Sequence, residues 1–494
     1  MTRSLFCLFF VLTIFTRLIK LDWGNGYYFH PDENNMANSV SQLSFSNLNP
    51  HFFSYGQFPL YLAFFSLKLF NQSITFINSV FILRLWSAIF SSVTVYIFYL
   101  ISNKIFKEKL HQLLFTTLII FSPGYIQLAH FGTTESLLIF VFTTSFYLSL
   151  SKINKKTLIS AVIISAIGLA SKVTAIFFIV PILLLLVLNK KYKLLLIYIF
   201  STLLLFLFLS PYNLLDFTDF ISAINYETAV ATGKNLVFYT HQFLYTTPYL
   251  FQFTHIFPYV LGIPIFILGL IGFPLALFEG KGRVRVWSLI LVPSLIYFLY
   301  NAQLFTKWTR FMSPIFFIFP LFATYLFTKI KNKIVLVFLT AISLLPGIIF
   351  LNLYFQPDIR LTASDWINKN IKDDSVILSE SGNVVNLPLK SHLIVNNFDF
   401  YKLDNINLAT ELEKSDYIII PSRRVFKNYS YSYYQNMFNG TLGFSQIKQF
   451  SLFTDLILNS EIAEETWTVF DRPTIRIYQK TKQLTLPQYQ QLTL

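Results

Sequence analysis

Residues 5–33 read LFCLFFVLTIFTRLIKLDWGNGYYFHPDE, and this stretch decides both the fold class and the position of a candidate site. The run over residues 5–19 is largely apolar. The more polar stretch that follows it contains a His-Pro-Asp-Glu motif at residues 30–33. Two adjacent carboxylates, Asp32 and Glu33, are costly to keep at a membrane surface unless they have a function. The stretch therefore predicts a membrane helix followed by a loop that carries a functional acid.

The composition of the whole chain supports a polytopic α-helical membrane protein. Of its 494 residues, 54% are hydrophobic and only 13% are charged, whereas soluble domains carry about 25% charged residues. Several apolar runs reach or approach the roughly 20 residues needed to cross a bilayer. Arg17 and Lys20 stand where a small-residue cleavage site would follow the first run, which favours an uncleaved signal anchor. Cys7 is the single cysteine, so no internal disulfide can form.

Charge alternates between the loops and predicts their orientation. Five loops each contain three Lys or Arg residues, and the loops between them contain few. Because basic loops stay cytoplasmic, the first loop, the 212–256 loop and the tail after residue 355 are predicted to face outward. The apolar run 58–70 is too short to span, and we interpret it as an interfacial or re-entrant helix. The basic loops contain Lys104, Lys107 and Lys109; Lys152, Lys155 and Lys156; Lys190, Lys191 and Lys193; Lys281, Arg283 and Arg285; and Lys329, Lys331 and Lys333.

The hydropathy pattern predicts about eleven transmembrane helices within a domain over residues 1–354. Residues 355–494 are more polar and predict a separate extracytoplasmic α/β domain, with a helix over 362–370 that Ser364 could cap. Short β-type runs occur at 375–378, 392–395, 417–420 and 474–478, and the end after Lys480 is predicted to be poorly ordered. The predicted spans are residues 4–20, 77–103, 111–129, 135–151, 157–172, 173–189, 193–211, 257–278, 286–304, 311–328 and 333–354.

This topology gathers the unusual polar residues at the outer face of the membrane. A carboxylate there could act as a general base toward a hydroxyl, and Arg or Lys could stabilise a departing phosphate. Arg84 lies inside the second predicted span, where a charge requires a partner or a function. The remaining outer residues are Asp32, Glu33, Glu135, Lys172, Asp216, Asp219, Glu227, Lys307 and Arg310.

Each of these residues also has a plainer structural interpretation. Asp32 and Glu33 could simply complement the dipole of a helix that begins at Pro31, and Glu135 could begin its own helix. Lys172, like Lys307 and Arg310, could be an ordinary interfacial charge. His30 beside two adjacent acids is a weak metal signature, so a divalent metal is possible but not indicated, and no other cofactor is predicted.

Together, the motifs resemble those of the GT-C superfamily of integral-membrane glycosyltransferases, in particular the bacterial branch related to protein O-mannosyltransferases, glycosyltransferase family 39. Their order along the chain carries the resemblance, which covers most of the sequence. The motifs are His30-Pro-Asp-Glu33, Tyr55-Gly-Gln-Phe-Pro-Leu-Tyr61, Arg84-Leu-Trp, Gly132-Thr-Thr-Glu-Ser136, Gly168-Leu-Ala-Ser-Lys-Val-Thr174, Arg310-Phe-Met-Ser-Pro314, Asp416-Tyr-Ile-Ile-Ile-Pro-Ser-Arg-Arg424 and Glu464-Glu-Thr-Trp-Thr-Val-Phe-Asp471.

The resemblance implies an inverting transfer of a monosaccharide from a polyprenyl-phosphate carrier, at a lumenal or periplasmic site. The family's essential acid corresponds to Asp32, with Glu33 beside it as a second catalytic candidate. The tail lacks the β-trefoil-type insert of the eukaryotic protein mannosyltransferases, so a lipid, a glycan or a protein all stay open as acceptors. Candidate substrate-binding residues are His30, Arg84, Glu135, Lys172, Lys307 and Arg310.

Two other functions compete with the glycosyltransferase interpretation. A transporter or flippase for lipid-linked glycans would have repeats and polar sites at the midplane of the membrane, whereas the polar residues here gather at one interface. A non-catalytic scaffold would not need the acidic first loop. Membrane lipids are expected partners and nucleic acid is not, and the plasma membrane of a bacterium is the expected location.

Overall fold

The computed structural model describes residues 3–279, 284–381, 387–399, 405–423, 431–452 and 459–493. Lys281 and Arg283 of the fourth basic loop, and Arg424 of the tail motif, lie outside the described residues. The chain divides into two compact units. The first unit comprises Met1–Leu21, Asp32–Thr232 and Thr247–Asn352, and the second comprises Asp22–Pro31, Gly233–Thr246 and Leu353–Leu494.

The first unit is helical. Its longest helix begins where the Thr75 side chain accepts a hydrogen bond from the Asn78 backbone N–H, an N-cap that satisfies one free donor of the helix end. The helices are α1 (Arg3–Leu18), α2 (Pro31–Ser41), α3 (Phe58–Leu69), α4 (Phe76–Ile105), α5 (Lys109–Ile120), α6 (Pro123–His130), α7 (Glu135–Ser149), α8 (Lys155–Leu169), α9 (Val180–Leu188), α10 (Tyr192–Leu209), α11 (Tyr212–Leu215), α12 (Phe217–Ala231), α13 (Leu250–His255), α14 (Phe257–Leu261), α15 (Ile263–Glu279), α16 (Val284–Gln303), α17 (Thr309–Met312), α18 (Ile318–Phe327) and α19 (Lys333–Leu351).

Within the described residues, four helices are long and apolar enough to cross a membrane, and the number rises to seven if each bent pair is one span. The four are Phe76–Ile105, Tyr192–Leu209, Arg285–Gln303 and Lys333–Phe355. The bent pairs turn by 52° between α5 and α6, by 119° at Gly262 and by 45° before α18. The protein is therefore a helical membrane protein. The predicted count of eleven spans stays a prediction, because the other predicted spans form helices shorter than 18 residues.

The second unit contains a five-stranded mixed sheet, and the four β-type runs of the tail correspond to four of its strands. The strand order is β2-β1-β3-β5-β4, with β2 and β3 parallel to β1, and β5 antiparallel to both β3 and β4. Apolar side chains from both faces are buried, among them Leu378, Ile418 and Ile477. The elements are α20 (Ile359–Asn370), β1 (Val376–Ser381), β2 (Ile394–Asp399), α21 (Asn405–Lys414), β3 (Tyr417–Ile420), α22 (Tyr431–Phe438), β4 (Phe444–Phe450), β5 (Ile475–Lys480) and α23 (Leu486–Thr493).

Two expectations for the tail are wrong. Asp358 rather than Ser364 caps α20, accepting a hydrogen bond from the Arg360 backbone N–H at 2.9 Å, and Ser364 lies inside the helix. The chain end is ordered, because α23 packs against the apolar core through Tyr489, which is fully buried. The sequence of α23 is polar because its other face is exposed.

Candidate active site

Asp32 and Arg310 form an ion pair in the first unit. Asp32 lies in the first turn of α2, and Arg310 lies in the short helix α17. Arg310 Nη1 donates a hydrogen bond to Asp32 Oδ2, and each side chain keeps 22% of its surface exposed. The ring of Trp308 lies 4.9 Å from the guanidinium carbon and holds the cation in place. Two residues that the sequence predicts separately are thus brought together.

Tyr55 completes this pair, and the sequence analysis did not single it out. Its hydroxyl lies 3.4 Å from Arg310 Nη1, and burial raises the pKa of that hydroxyl well above its ordinary value. The next residue fixes the loop, because the Gly56 N–H donates to the Ser171 carbonyl at 2.9 Å. A Cβ on Gly56 would lie 2.0 Å from a backbone oxygen of the same turn, so only glycine fits. The signal available in the sequence was the position of Tyr55 at the start of the Tyr55–Tyr61 motif.

Lys172 and Glu135 form a second ion pair that extends the site. Lys172 Nζ lies 3.6 Å from Glu135 Oε1, and both side chains are mostly buried. The same ammonium lies 5.2 Å from the centre of the Tyr55 ring. Electrostatic interactions connect Lys172 with both Asp32 and Arg310. Two cations, Arg310 and Lys172, therefore lie close to the carboxylates of Asp32 and Glu135 and to the phenol of Tyr55. We call these five residues the Asp32 cluster.

Glu33 faces a different direction and is fully buried. Arg84 donates to both of its carboxylate oxygens, at 2.9 Å to Oε2 and 2.6 Å to Oε1. The Gly132 N–H also donates to Oε2 at 2.7 Å, and Arg84 Nη1 donates to the Leu21 carbonyl at 2.8 Å. A buried ion pair needs such additional hydrogen bonds to offset desolvation. Arg84 thus has the partner that its place inside a span requires.

Lys307 and His30 make their described contacts elsewhere. Lys307 Nζ donates to the Phe305 carbonyl at 2.9 Å, and burial lowers its pKa to about 8. Lys307 precedes Trp308, the N-cap of α17, so it lies outside the helix that carries Arg310. His30 belongs to the second unit, where its ring lies 4.2 Å from that of Phe470.

The acids of the fourth predicted outer loop separate into two groups. Glu227 interacts electrostatically with Arg310 and Lys172. In the described parts of the chain, the group with metal-ligand spacing is His51, Asp216 and Asp219. None of these three residues belongs to the Asp32 cluster.

Comparison with known proteins supports the resemblance. Residues 58–213, about a third of the chain, match the family model described as dolichyl-phosphate-mannose-protein mannosyltransferase. A search of curated protein sequences finds no match.

Solved structures show the fold. ArnT from Cupriavidus metallidurans in the apo state matches with a TM-score of 0.50 and 10% identity, covering 96% of this chain and 98% of that one. The apo oligosaccharyltransferase of Archaeoglobus fulgidus matches with a TM-score of 0.50 and 13% identity, covering 76% of this chain and 62% of its own length. The predicted resemblance to the GT-C superfamily is confirmed, and at these identities the structural likeness shows the fold alone.

Proposed function

We propose that this protein transfers a monosaccharide from a polyprenyl-phosphate carrier to an acceptor hydroxyl, on the extracytoplasmic side of a bacterial plasma membrane. The observation that carries the proposal is the Asp32 cluster, where a partly exposed carboxylate lies against an arginine and near a lysine. The name of the matching family model, which includes a dolichyl-phosphate sugar, supports this class of donor.

Asp32 is the general base of the proposed reaction. Its side chain is 22% exposed, whereas that of Glu33 is 0% exposed and accepts three hydrogen bonds. An acceptor hydroxyl can therefore reach Asp32 but not Glu33. The N-terminus of α2 favours the ionised form of Asp32, as a base requires. Glu33 becomes a positioning residue, because with Arg84 it fixes the first turn of α2 against α4.

The proposed step is a single displacement with inversion at the sugar carbon. The acceptor oxygen forms a bond to that carbon while the bond from the carbon to the phosphate oxygen breaks. The hydroxyl proton passes to the Asp32 carboxylate, and the polyprenyl phosphate leaves with the bonding electrons. A positioned base of this kind typically contributes about 10²–10⁴-fold.

Arg310 is the proposed phosphate ligand. Its Nε is buried and has no hydrogen-bond partner among the described residues, so one edge of the guanidinium fork is available. The planar fork can hold two phosphate oxygens, whereas Asp32 and Tyr55 both contact the single nitrogen Nη1. Donor binding would then draw Arg310 from Asp32 and release the base. Binding of the donor would in this way activate the base that deprotonates the acceptor.

Lys172 supplies the second positive charge, and Glu135 keeps that lysine oriented. The Lys172–Glu135 separation of 3.6 Å leaves the ammonium able to turn toward a phosphate. Tyr55 stays protonated because burial raises the pKa of its hydroxyl, so it can donate to an oxygen of the substrate.

Purified protein in lipid nanodiscs, supplied with polyprenyl-phosphate sugars labelled in the sugar, tests the proposal. Release of free polyprenyl phosphate together with a labelled acceptor or sugar is expected. Sealed proteoliposomes provide the second arm, because a flippase would move the labelled lipid across the bilayer without breaking the sugar–phosphate bond. Translocation of the intact donor without any cleavage would contradict the proposed transfer.

A further inference from the structure

His51, Asp216 and Asp219 bring three potential metal ligands together in the first unit. One ligand atom from each residue lies within 4.8 Å of the other two. His51 Nδ1 and Asp216 Oδ2 are 3.7 Å apart. Two of the residues lie at the beginning of α12, and the third belongs to the loop that precedes Tyr55. The histidine therefore comes from a part of the chain that is far in sequence from the two aspartates.

Asn49 orients both sides of this group. Its Nδ2 donates to Asp216 Oδ2 at 2.7 Å, and its Oδ1 accepts a hydrogen bond from the His51 backbone N–H at 3.2 Å. Metal ligands commonly have outer partners of this kind, which fix the direction of the carboxylate. Asp219 lies three residues after Asp216, so both acids can share one face where the helix begins.

The backbone of His51 is unusual for a residue with a side chain. Its φ is +46°, in the left-handed region that residues with a Cβ rarely adopt. The dipole of α12 stabilises two acids near its first turn, and the pairing with Asp216 and the turn at Asn49 position the imidazole. The three ligand atoms converge closely enough to hold one cation between them.

We propose that His51, Asp216 and Asp219 bind one divalent transition-metal ion of the zinc type. An imidazole nitrogen with two carboxylate oxygens suits Zn²⁺, whereas Mg²⁺ prefers oxygen ligands and retains its waters. Three protein ligands leave a position for water. The His51 side chain is 58% exposed, so the ion can enter and exchange from solvent.

The ion would connect the 49–57 loop to the beginning of α12. The same loop presents Tyr55 to Arg310, so the metal would stabilise the part of the first unit that supports the Asp32 cluster. Because only the folded chain brings the three ligands together, binding should raise the unfolding temperature.

The test is a titration with Zn²⁺ alone of the purified full chain, from which the polyhistidine tag has been cleaved and bound metal stripped with a chelator. A chromophoric chelator in competition reports affinity and stoichiometry. We expect one equivalent to bind and to raise the unfolding temperature. Asp219→Asn should weaken binding by about 10-fold or more, and His51→Gly should do the same while its backbone accepts the positive φ without strain.

His392→Ala is the matched control. His392 Nε2 lies 3.7 Å from Asp373 Oδ1, the same separation as in the His51–Asp216 pair, but no third ligand completes a described group there. This variant should keep the full affinity for Zn²⁺. Unchanged affinity and stoichiometry in both Asp219→Asn and His51→Gly would overturn the proposal. Tighter binding of Mg²⁺ than of Zn²⁺ at the same residues would overturn the assignment to a transition metal.

Discussion

Arg310 donates a hydrogen bond to Asp32 across 278 residues of sequence, so the proposed phosphate ligand and the proposed base are joined directly. An ionised carboxylate held by a guanidinium is a weak base, because the pair stabilises its charged form. The proposed reaction therefore requires Arg310 to turn toward the donor. Substrate binding and activation of the base become one event.

Arg310→Lys should weaken use of the donor, because lysine keeps the charge but loses the planar fork. We expect kcat/KM for the donor to fall by about 10-fold or more, and Arg310→Ala to lose still more. The measurement is steady-state transfer at varied donor concentration, with the folded fraction matched. Arg285→Lys is the control, since Arg285 is exposed and bonds to Asn189 on another part of the first unit. Unaltered donor kinetics in both Arg310 variants would return Arg310 to the ordinary interfacial charges.

Glu33→Gln should act on stability. The substitution removes the carboxylate charge that pairs with the buried Arg84 guanidinium, and breaking a buried pair in this way costs about 3–5 kcal/mol. Chemical unfolding in detergent measures the loss. Activity per folded molecule should change much less than it does in Asp32→Asn. A Glu33→Gln variant that is as stable as the parent but inactive would show that Glu33 takes part in the chemistry.

The sequence predicts which residues lie at the site better than it predicts which of them pair with one another. The alternating lysine loops and the apolar runs predict that Asp32, Glu135, Lys172 and Arg310 gather at one face, and the structure places these four residues in one cluster. The partner of Arg84 could not be predicted, because Glu33 lies 51 residues away and hydropathy contains no information on pairing between helices.

Other features escape sequence patterns for local physical reasons. β4 was not predicted because residues 445–449 of this edge strand are all exposed and all polar except Ile447, without the apolar alternation that indicates a strand. The 119° bend escapes a hydropathy window, because Gly262 lies inside a run that stays apolar on both sides of it. Tyr55 is one of 28 tyrosines, so its residue type alone did not distinguish it.

The second unit should lose stability as the pH rises from about 5 to 8. Glu380 is fully buried, Tyr433 and Tyr434 donate to its two oxygens at 2.9 and 3.0 Å, and burial raises its pKa to about 8. Since the unfolded carboxyl has a pKa of about 4.3, the folded state binds the extra proton in this window. The free energy of unfolding should therefore fall by up to about 1.4 kcal/mol per pH unit.

Glu380→Gln separates this effect from other titrations. The amide keeps the shape and accepts a hydrogen bond, but it cannot ionise. Hydrogen exchange of the β1 amides in the full chain, measured at several pH values and corrected for intrinsic rates, should show a flatter pH dependence in the variant. The same slope in both proteins would assign the effect to another group.

The basic loops predict the orientation of the whole chain. A periplasmic reporter such as an exported phosphatase, fused after Tyr354, should be active, and the same reporter fused after Lys109 should be inactive. A cytoplasmic reporter should give the opposite pattern at both positions. If the reporters showed residues 355–494 in the cytoplasm, the Asp32 cluster could not act at the extracytoplasmic face.

Asp32→Asn tests the central claim most directly. Asparagine keeps the shape of the side chain but cannot accept the hydroxyl proton, and it leaves Arg310 free to bind the donor. At matched expression and folded fraction, single-turnover transfer should fall by about 10²–10⁴-fold, while binding of the donor is retained or tightened. Near-normal turnover of Asp32→Asn under the same conditions would contradict the assignment of Asp32 as the base.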